Sequence, residues 1–96
     1  MDMYAARLRR FIRTYYMRRA GSCFDMASRN HDSVSGRVVI GFEIQADGTV
    51  HDSSVVSNST HIDTIGACLA SQVGRWRLPP PPADNAPLAM SMPFSR

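Results

Sequence analysis

Ninety-six residues with 44% hydrophobic content suit one folded domain, predicted over residues 1–96, and exclude a disordered chain. The net charge of +3 and the pI of about 9.4 allow an anionic partner without requiring one. No apolar run approaches the roughly 20 residues that span a bilayer, and arginines interrupt the N-terminus where a signal peptide would be apolar. A protein acting outside the cytoplasm would therefore contain this chain as a fragment of something longer.

The first predicted element is an amphipathic helix from about Tyr4 to about Ala27. One face carries apolar residues at helical spacing, namely Tyr4, Leu8, Phe11, Ile12 and Tyr15, continued by Tyr16, Ala20, Cys23 and Ala27. Gly21 need not end this helix. Six arginines between Arg7 and Arg19 occupy the other face. Of these, Arg9, Arg10 and Arg13 are candidate contacts for an anionic surface, although a solvated helix face is the simpler interpretation.

After a polar loop over residues 28–36, strict alternation predicts a β-hairpin. The apolar residues of the first strand, Arg37 to Gln45, fall at every second position: Val38, Ile40, Phe42 and Ile44. Asp47-Gly48 follows, in a turn from Ala46 to Gly48. In the second strand, Thr49 to about Ser57, Val50 and Val55 both face inward only if a bulge intervenes.

A second helix and a third strand complete the chain. Thr60 and Asp63 have capping-box spacing before a helix that ends near Trp76. Pro79 to Pro82 forbid its continuation. Alternation returns over Leu88 to Phe94, and Pro93 places the end of this strand at a sheet edge or beyond the pairing. The order α-β-β-α-β predicts an α+β fold, a three-stranded antiparallel sheet with two helices on one face.

The chemistry-bearing residues give little support for an enzyme. His31, His51 and His61 have no fixed spacing, and neither paired carboxylates nor a phosphate loop is present. A zinc site from Cys23, Cys68, His51 and His61 is conceivable but disfavoured, so we expect no catalytic residues, cofactor or metal. From their number and separation alone, Cys23 and Cys68 are equally compatible with a disulfide and with two buried thiols.

Three segments together resemble a known family. They read GRVVIGFEIQADGTV from Gly36, VVSNST from Val55, and ACLASQVGRWRLPPP from Ala67, and the chain closes on MPFS. The pattern resembles the C-terminal domain of TonB/TolA-type energy transducers from about Tyr4 to Phe94. It is most similar to the AgmX/PglI C-terminal subfamily, known from myxobacterial gliding machinery, which carries a cysteine in each helix. Phe24 and Leu78 depart from the residues usual in that subfamily.

The resemblance implies a periplasmic, non-enzymatic interaction module of an inner-membrane-anchored protein, binding envelope or outer-membrane partners. In that oxidising compartment it also implies that Cys23 pairs with Cys68.

The predicted partner site is the last strand. If the strand order is second-first-third, this strand has an unpaired edge for β-strand addition, as in TonB- and TolA-like domains. The candidate residues are Leu88, Ala89, Met90, Ser91, Met92 and Phe94. Met90 and Met92 are expected to face the core, so Ala89, Ser91 and the backbone would meet the partner. The alternatives are a blunted edge or one used for a homodimer.

A different function class is nucleic-acid binding through the arginine-rich first helix, which the basic pI favours. Against it, the open sheet face offers no aromatic residue for base stacking.

Overall fold

The structure, a computed structural model, describes residues 2–31 and 33–96. Met1 and Asp32 belong to the predicted domain 1–96, and Asp32 to the predicted loop, but both lie outside the described residues. The elements are α1 (Asp2–Tyr15), α2 (Met17–Ser28), β1 (Arg37–Ile44), β2 (Val50–Asn58), α3 (Asp63–Val73), a 3-10 helix (Ala83–Asn85) and β3 (Leu88–Ser95). The strands form one antiparallel sheet in the order β2-β1-β3, so the predicted α+β class is confirmed.

β1 supplies the centre of the core. Its side chains alternate between buried and more exposed, and Val38, Ile40, Phe42 and Ile44 are at most 4% exposed. They share one hydrophobic cluster with buried residues of all three α-helices, among them Leu8, Phe24 and Leu69. The alternation read from the sequence therefore identifies the face that the helices cover.

The predicted single first helix is wrong, because the chain leaves helical geometry at Tyr16, where φ is −123° and ψ is −22°. The Tyr16 ring stacks on Trp76 with ring centroids 5.0 Å apart. Its hydroxyl donates to the carbonyl of Arg77 and accepts from the Arg77 N–H, both at 3.0 Å. Because Tyr16 turns into the domain here, Tyr15 is 60% exposed rather than part of the buried stripe.

The turn between β1 and β2 has the predicted Asp-Gly chemistry. The carboxylate of Asp47 accepts hydrogen bonds from the hydroxyl of Thr49 at 2.6 Å and from its N–H at 3.0 Å, and these bonds lower the pKa of Asp47. Gly48 has a φ of +88° and contacts the chain at Leu78, whose N–H donates to the Gly48 carbonyl at 2.9 Å. The turn thus joins the hairpin to the segment that follows α3.

The second strand contains the predicted irregularity. Its register with β1 shifts twice, between Val39 and Ile40 and between Gly41 and Glu43. Ile44 then pairs with Val50 and Ile40 with Val55, so both valines lie on the covered side. Val55 is nevertheless 43% exposed, at the margin of the core.

The predicted capping box at the start of α3 is wrong. The helix begins at Asp63 after Ile62, and no side chain caps it. Instead the hydroxyl and the N–H of Thr60 bond to the Asn58 carboxamide oxygen, at 2.5 and 2.9 Å, while that side chain donates to the Ile62 carbonyl. These bonds stabilise a tight turn, and the helix begins only after it. At the other end, α3 stops at Val73 rather than near Trp76. Trp76 belongs to the segment after the helix, and its side chain is buried in the core.

A disulfide between Cys23 and Cys68 joins α2 to α3, with Cα atoms 5.7 Å apart and a sequence separation of 45. Gln72 adds a contact at the same junction, because its amide lies within 3.4 Å of the Cys23 sulfur and 3.3 Å of the Ser22 hydroxyl. In the chain-entropy account, closing a loop of this length stabilises the folded state by about 4 kcal/mol.

Replacing Gly48 by alanine should cost roughly 2–4 kcal/mol in the free energy of unfolding, since alanine is disfavoured at positive φ. A Cβ atom there would also lie 2.0 Å from the Leu78 carbonyl oxygen. Urea unfolding followed by Trp76 fluorescence measures the loss. Gly21→Ala is the matched control, expected to raise stability by about 0.5–1 kcal/mol because Gly21 lies inside α2. Equal effects of the two substitutions would contradict the geometry at the turn.

The disulfide predicts that thiol titration of unreduced, unfolded protein finds no free thiol. The Cys23→Ser/Cys68→Ser double variant should unfold with a free energy lower by about 2–4 kcal/mol. Adding reductant should lower the stability of the wild-type chain and leave that of the double variant unchanged. Two reactive thiols in the unreduced protein would rule the disulfide out.

Candidate functional site

The strand order leaves β3 with a neighbour on one side only. β1 lies between β2 and β3, and β3 pairs with β1 in one constant register from Arg37 opposite Ser95 to Ile44 opposite Leu88. The condition set by the sequence, a second-first-third order, is therefore met. One edge of β3 carries backbone groups with no partner strand in the described part of the chain.

The hydrogen bonds beside the strand identify which groups those are. Gly36 and Arg96 each donate an N–H to the other's carbonyl at 3.1 Å, which makes them a hydrogen-bonded pair. Such pairs alternate along an antiparallel ladder. Phe94, Met92, Met90 and Leu88 consequently bond to β1. The N–H and C=O groups of the residues between them, Ala89, Ser91, Pro93 and Ser95, point away from the sheet.

Pro93 fits this edge without disturbing the sheet. It lies opposite Val39 at a position whose N–H would point outward, so its missing donor removes no bond to β1. The row of donors on the free edge is interrupted here, because Pro93 offers only its carbonyl. A partner strand would find complete donor and acceptor pairs at Ala89, Ser91 and Ser95.

The side chains of β3 alternate as the sequence predicts. Leu88, Met90 and Met92 are partly buried and Phe94 is 3% exposed, whereas Ala89 and Ser91 are exposed. Phe94 packs edge-on against Trp76, with ring centroids 6.2 Å apart. The strand is thus held by its inward side chains, and its small outward residues leave the edge backbone accessible.

The other edge of the sheet, β2, is built differently. It contains the two register shifts, and Asp52 has a φ of +57°. Bulges twist a strand and interrupt its row of donors and acceptors, which is a common way to block edge pairing. The regular edge suited to strand addition is therefore β3.

A groove between α2 and β3 is not predicted by the sequence. Its lining comes mainly from Met17, Ala20, Gly21, Phe24, Phe94 and Arg96, and its volume is about 120 Å³; we call it the α2–β3 groove. The Arg96 guanidinium pairs with Asp25 at 2.5 Å and lies 5.3 Å from the centroid of the Phe24 ring. The only hint in the sequence was a glycine inside a helical pattern, at Gly21.

The candidate anionic contacts lie on a separate element. Arg9, Arg10 and Arg13 are all exposed on α1. Arg10 borders a shallow groove that also contains Phe11 and Pro79. Among the side chains that the structure describes, the ion pair that forms is Arg96–Asp25, so the arginines of α1 face solvent.

The residues weighed for a zinc site are not assembled. Cys23 and Cys68 are bonded to each other, and His51 and His61 are exposed. Among the side chains of residues 3–31 and 33–96, no three histidine, cysteine or acidic groups are placed to hold a metal ion. No helix in the same residues is long and apolar enough to cross a membrane.

These features define a small α+β domain that presents one regular strand edge. Residues 27–95 match the Gram-negative bacterial TonB protein C-terminal family, and the chain belongs to that family. Domains of this kind are non-enzymatic interaction modules of the periplasm and bind envelope or outer-membrane proteins. Neither curated proteins nor solved structures include a significant match to the chain. The family match begins at Ala27, so it is shorter than the expected resemblance and leaves out α1 and most of α2.

The contact that docks α1 gives a pH prediction. The Tyr4 hydroxyl donates to the Pro79 carbonyl at 2.8 Å, and burial raises the pKa of Tyr4 above its ordinary value, an effect that the charge of Arg7 partly offsets. A raised pKa in the folded state means that this stabilisation is complete below about pH 10, the unfolded pKa. It is lost as the pH rises through the folded pKa.

Tyr4→Phe should therefore lower the free energy of unfolding by about 1 kcal/mol at pH 8 through the lost hydrogen bond. The deficit relative to wild type should shrink toward pH 11, as measured by urea unfolding across that range. Tyr15→Phe, which removes an exposed hydroxyl from the same helix, is the matched control. A Tyr4→Phe deficit that stays constant with pH would contradict this role.

Proposed function

We propose that this chain is the periplasmic partner-binding domain of a TonB/TolA-like energy-transducing or gliding-motility complex in the cell envelope. The full-length protein would be anchored in the inner membrane. The domain binds extended peptide segments of envelope or outer-membrane proteins by β-strand addition along β3. Family membership supports the general role. The single observation that supports the mechanism is the outward row of backbone groups at Ala89, Ser91, Pro93 and Ser95 in an unbroken register.

The energetics of this binding mode are modest. A strand beside β3 could form paired hydrogen bonds at Ala89, Ser91 and Ser95 and a single one at Pro93. Each would contribute about 1 kcal/mol net, whereas association costs at least about 4 kcal/mol in lost freedom. Backbone pairing alone would therefore be weak. Useful affinity requires side-chain contacts or several domains acting together.

Nucleic-acid binding through Arg9, Arg10 and Arg13 is the alternative. Its support is the exposure of these arginines, which any solvated helix shares. The outward face of β1 carries Arg37, Val39, Gly41 and Glu43, none of which offers an aromatic ring for base stacking. The strand edge therefore has the stronger physical basis, and the same edge would also serve pairing between two copies of the domain.

Ser91→Pro tests strand addition, because it removes an outward N–H without removing a bond to β1. With peptides selected on the wild-type chain from a random eight-residue library, binding should weaken about five- to tenfold. Ser91→Ala keeps the N–H and should bind as wild type does. Peptide-induced amide NMR shifts on the wild-type chain should cluster at residues 88–94.

The fold provides its own control. Met92→Pro removes an N–H that bonds to β1, so it should lower the melting temperature, whereas Ser91→Pro should leave it nearly unchanged. Peptide shifts confined to α1, or unaltered affinity of a folded Ser91→Pro variant, would reject binding at β3.

A further inference from the structure

No feature of the fold requires a glycine at position 21. The chain has six glycines. Two have positive φ, and in three others an added Cβ would lie 2.9 Å from a neighbouring atom; these five are Gly36, Gly48, Gly41, Gly66 and Gly74. A Cβ on Gly21 would meet nothing within 4 Å in the described chain beyond its own helix backbone. Glycine inside a helix disfavours folding relative to alanine, so its presence here points to the space it leaves open.

That space is the α2–β3 groove. Gly21 forms part of its wall, together with the apolar side chains of Met17, Ala20, Phe24 and Phe94. The volume of about 120 Å³ is close to that of engineered apolar cavities of about 150 Å³ that hold benzene. A side chain the size of leucine, methionine or phenylalanine would fill it. Arg96, whose guanidinium pairs with Asp25, adds a charged side chain to this mainly apolar lining, and interaction surfaces generally combine an apolar centre with polar groups at the margin.

The groove also lies where an added strand would place a side chain. The N–H and C=O groups of Phe94 bond to β1. A residue opposite Phe94 on an added antiparallel strand would therefore form a non-hydrogen-bonded pair with it. Side chains in such pairs are close, with Cα atoms about 4.5 Å apart. Because Phe94 faces inward, its neighbour on the added strand would also point toward the helices. That neighbour would enter the groove between Phe94 and α2.

From these observations we infer that the α2–β3 groove receives one large apolar side chain of the partner segment, which supplies the selectivity that backbone pairing lacks. The inference rests on the proposed strand addition at β3. The partner is an extended segment with a single leucine, isoleucine, methionine or phenylalanine facing the helices. The residues of the segment that flank this apolar residue point to the open face of the sheet, where small or polar side chains fit.

The experiment uses the selected eight-residue peptides in a double-mutant cycle. Peptides selected on the wild-type chain should share an apolar residue at one position, and replacing it by alanine should weaken binding at least tenfold. Gly21→Leu fills the groove and should weaken the apolar peptide at least tenfold, yet change binding of the alanine peptide less than twofold. Arg18→Leu, which adds the same side chain at an exposed position of α2, is the matched control and should bind both peptides as wild type does.

Thermal unfolding checks that Gly21→Leu is folded, and its melting temperature should be no lower than that of wild type. If peptides shift the amides of β3 but show no apolar preference and no response to Gly21→Leu, the groove inference is overturned while strand addition stands. If no peptide in the library perturbs β3, strand addition and the groove inference fail together. An equal loss for both peptides with Gly21→Leu would also overturn the inference.

Discussion

The fold depends on the pairing of β1 with a strand on each side. Its four inward side chains, Val38, Ile40, Phe42 and Ile44, form the floor on which all three helices pack. Because the sheet has three strands in the order β2-β1-β3, the other two must each keep a free edge. The two edge strands differ. Bulges interrupt β2, whereas β3 is regular and its inward residue Phe94 packs against Trp76. The open edge of β3 thus follows from the strand order of a three-stranded sheet.

The sequence predicts those parts of the fold that local periodicity decides. Alternation in β1 and β3, the Asp47-Gly48 turn and the need for a bulge in β2 are all readable from spacing, and the structure agrees with them. Prediction from the sequence fails where a contact with a distant residue determines the backbone conformation. Helical spacing continues through Tyr16, but the chain departs from the helix there because Tyr16 bonds to Arg77, 61 residues away. At Thr60 a local contact decides instead: its hydrogen bonds to Asn58, two residues earlier, replace the predicted capping box.

The candidate site divides along the same line. The edge strand and its outward residues follow from the alternation of β3 once the strand order is known. The α2–β3 groove does not, because its walls come from segments more than 70 residues apart: Arg96 reaches Asp25 and the Gly21 carbonyl from the far end of the chain. Gly21 alone carries a readable signal, an unfavourable residue in a helix. Only the structure distinguishes it from the five glycines that turns and close packing require.

The boundary of the family match gives this division a functional meaning. The matched residues, 27–95, contain all three strands of the sheet and therefore the backbone edge of β3. The helical wall of the groove, with Met17, Ala20, Gly21 and Phe24, lies before the match begins. Yet α2 is an integral part of the domain, because Ala20, Cys23 and Phe24 are buried in the common core and Cys23 forms a disulfide with Cys68 of α3. Under the proposed mechanism, backbone pairing uses a strand inside the matched range, and the choice of partner also uses helical residues before it. The disulfide then has a role beyond stability: by joining α2 to α3, it helps to hold the selective wall beside the strand that any partner would pair with.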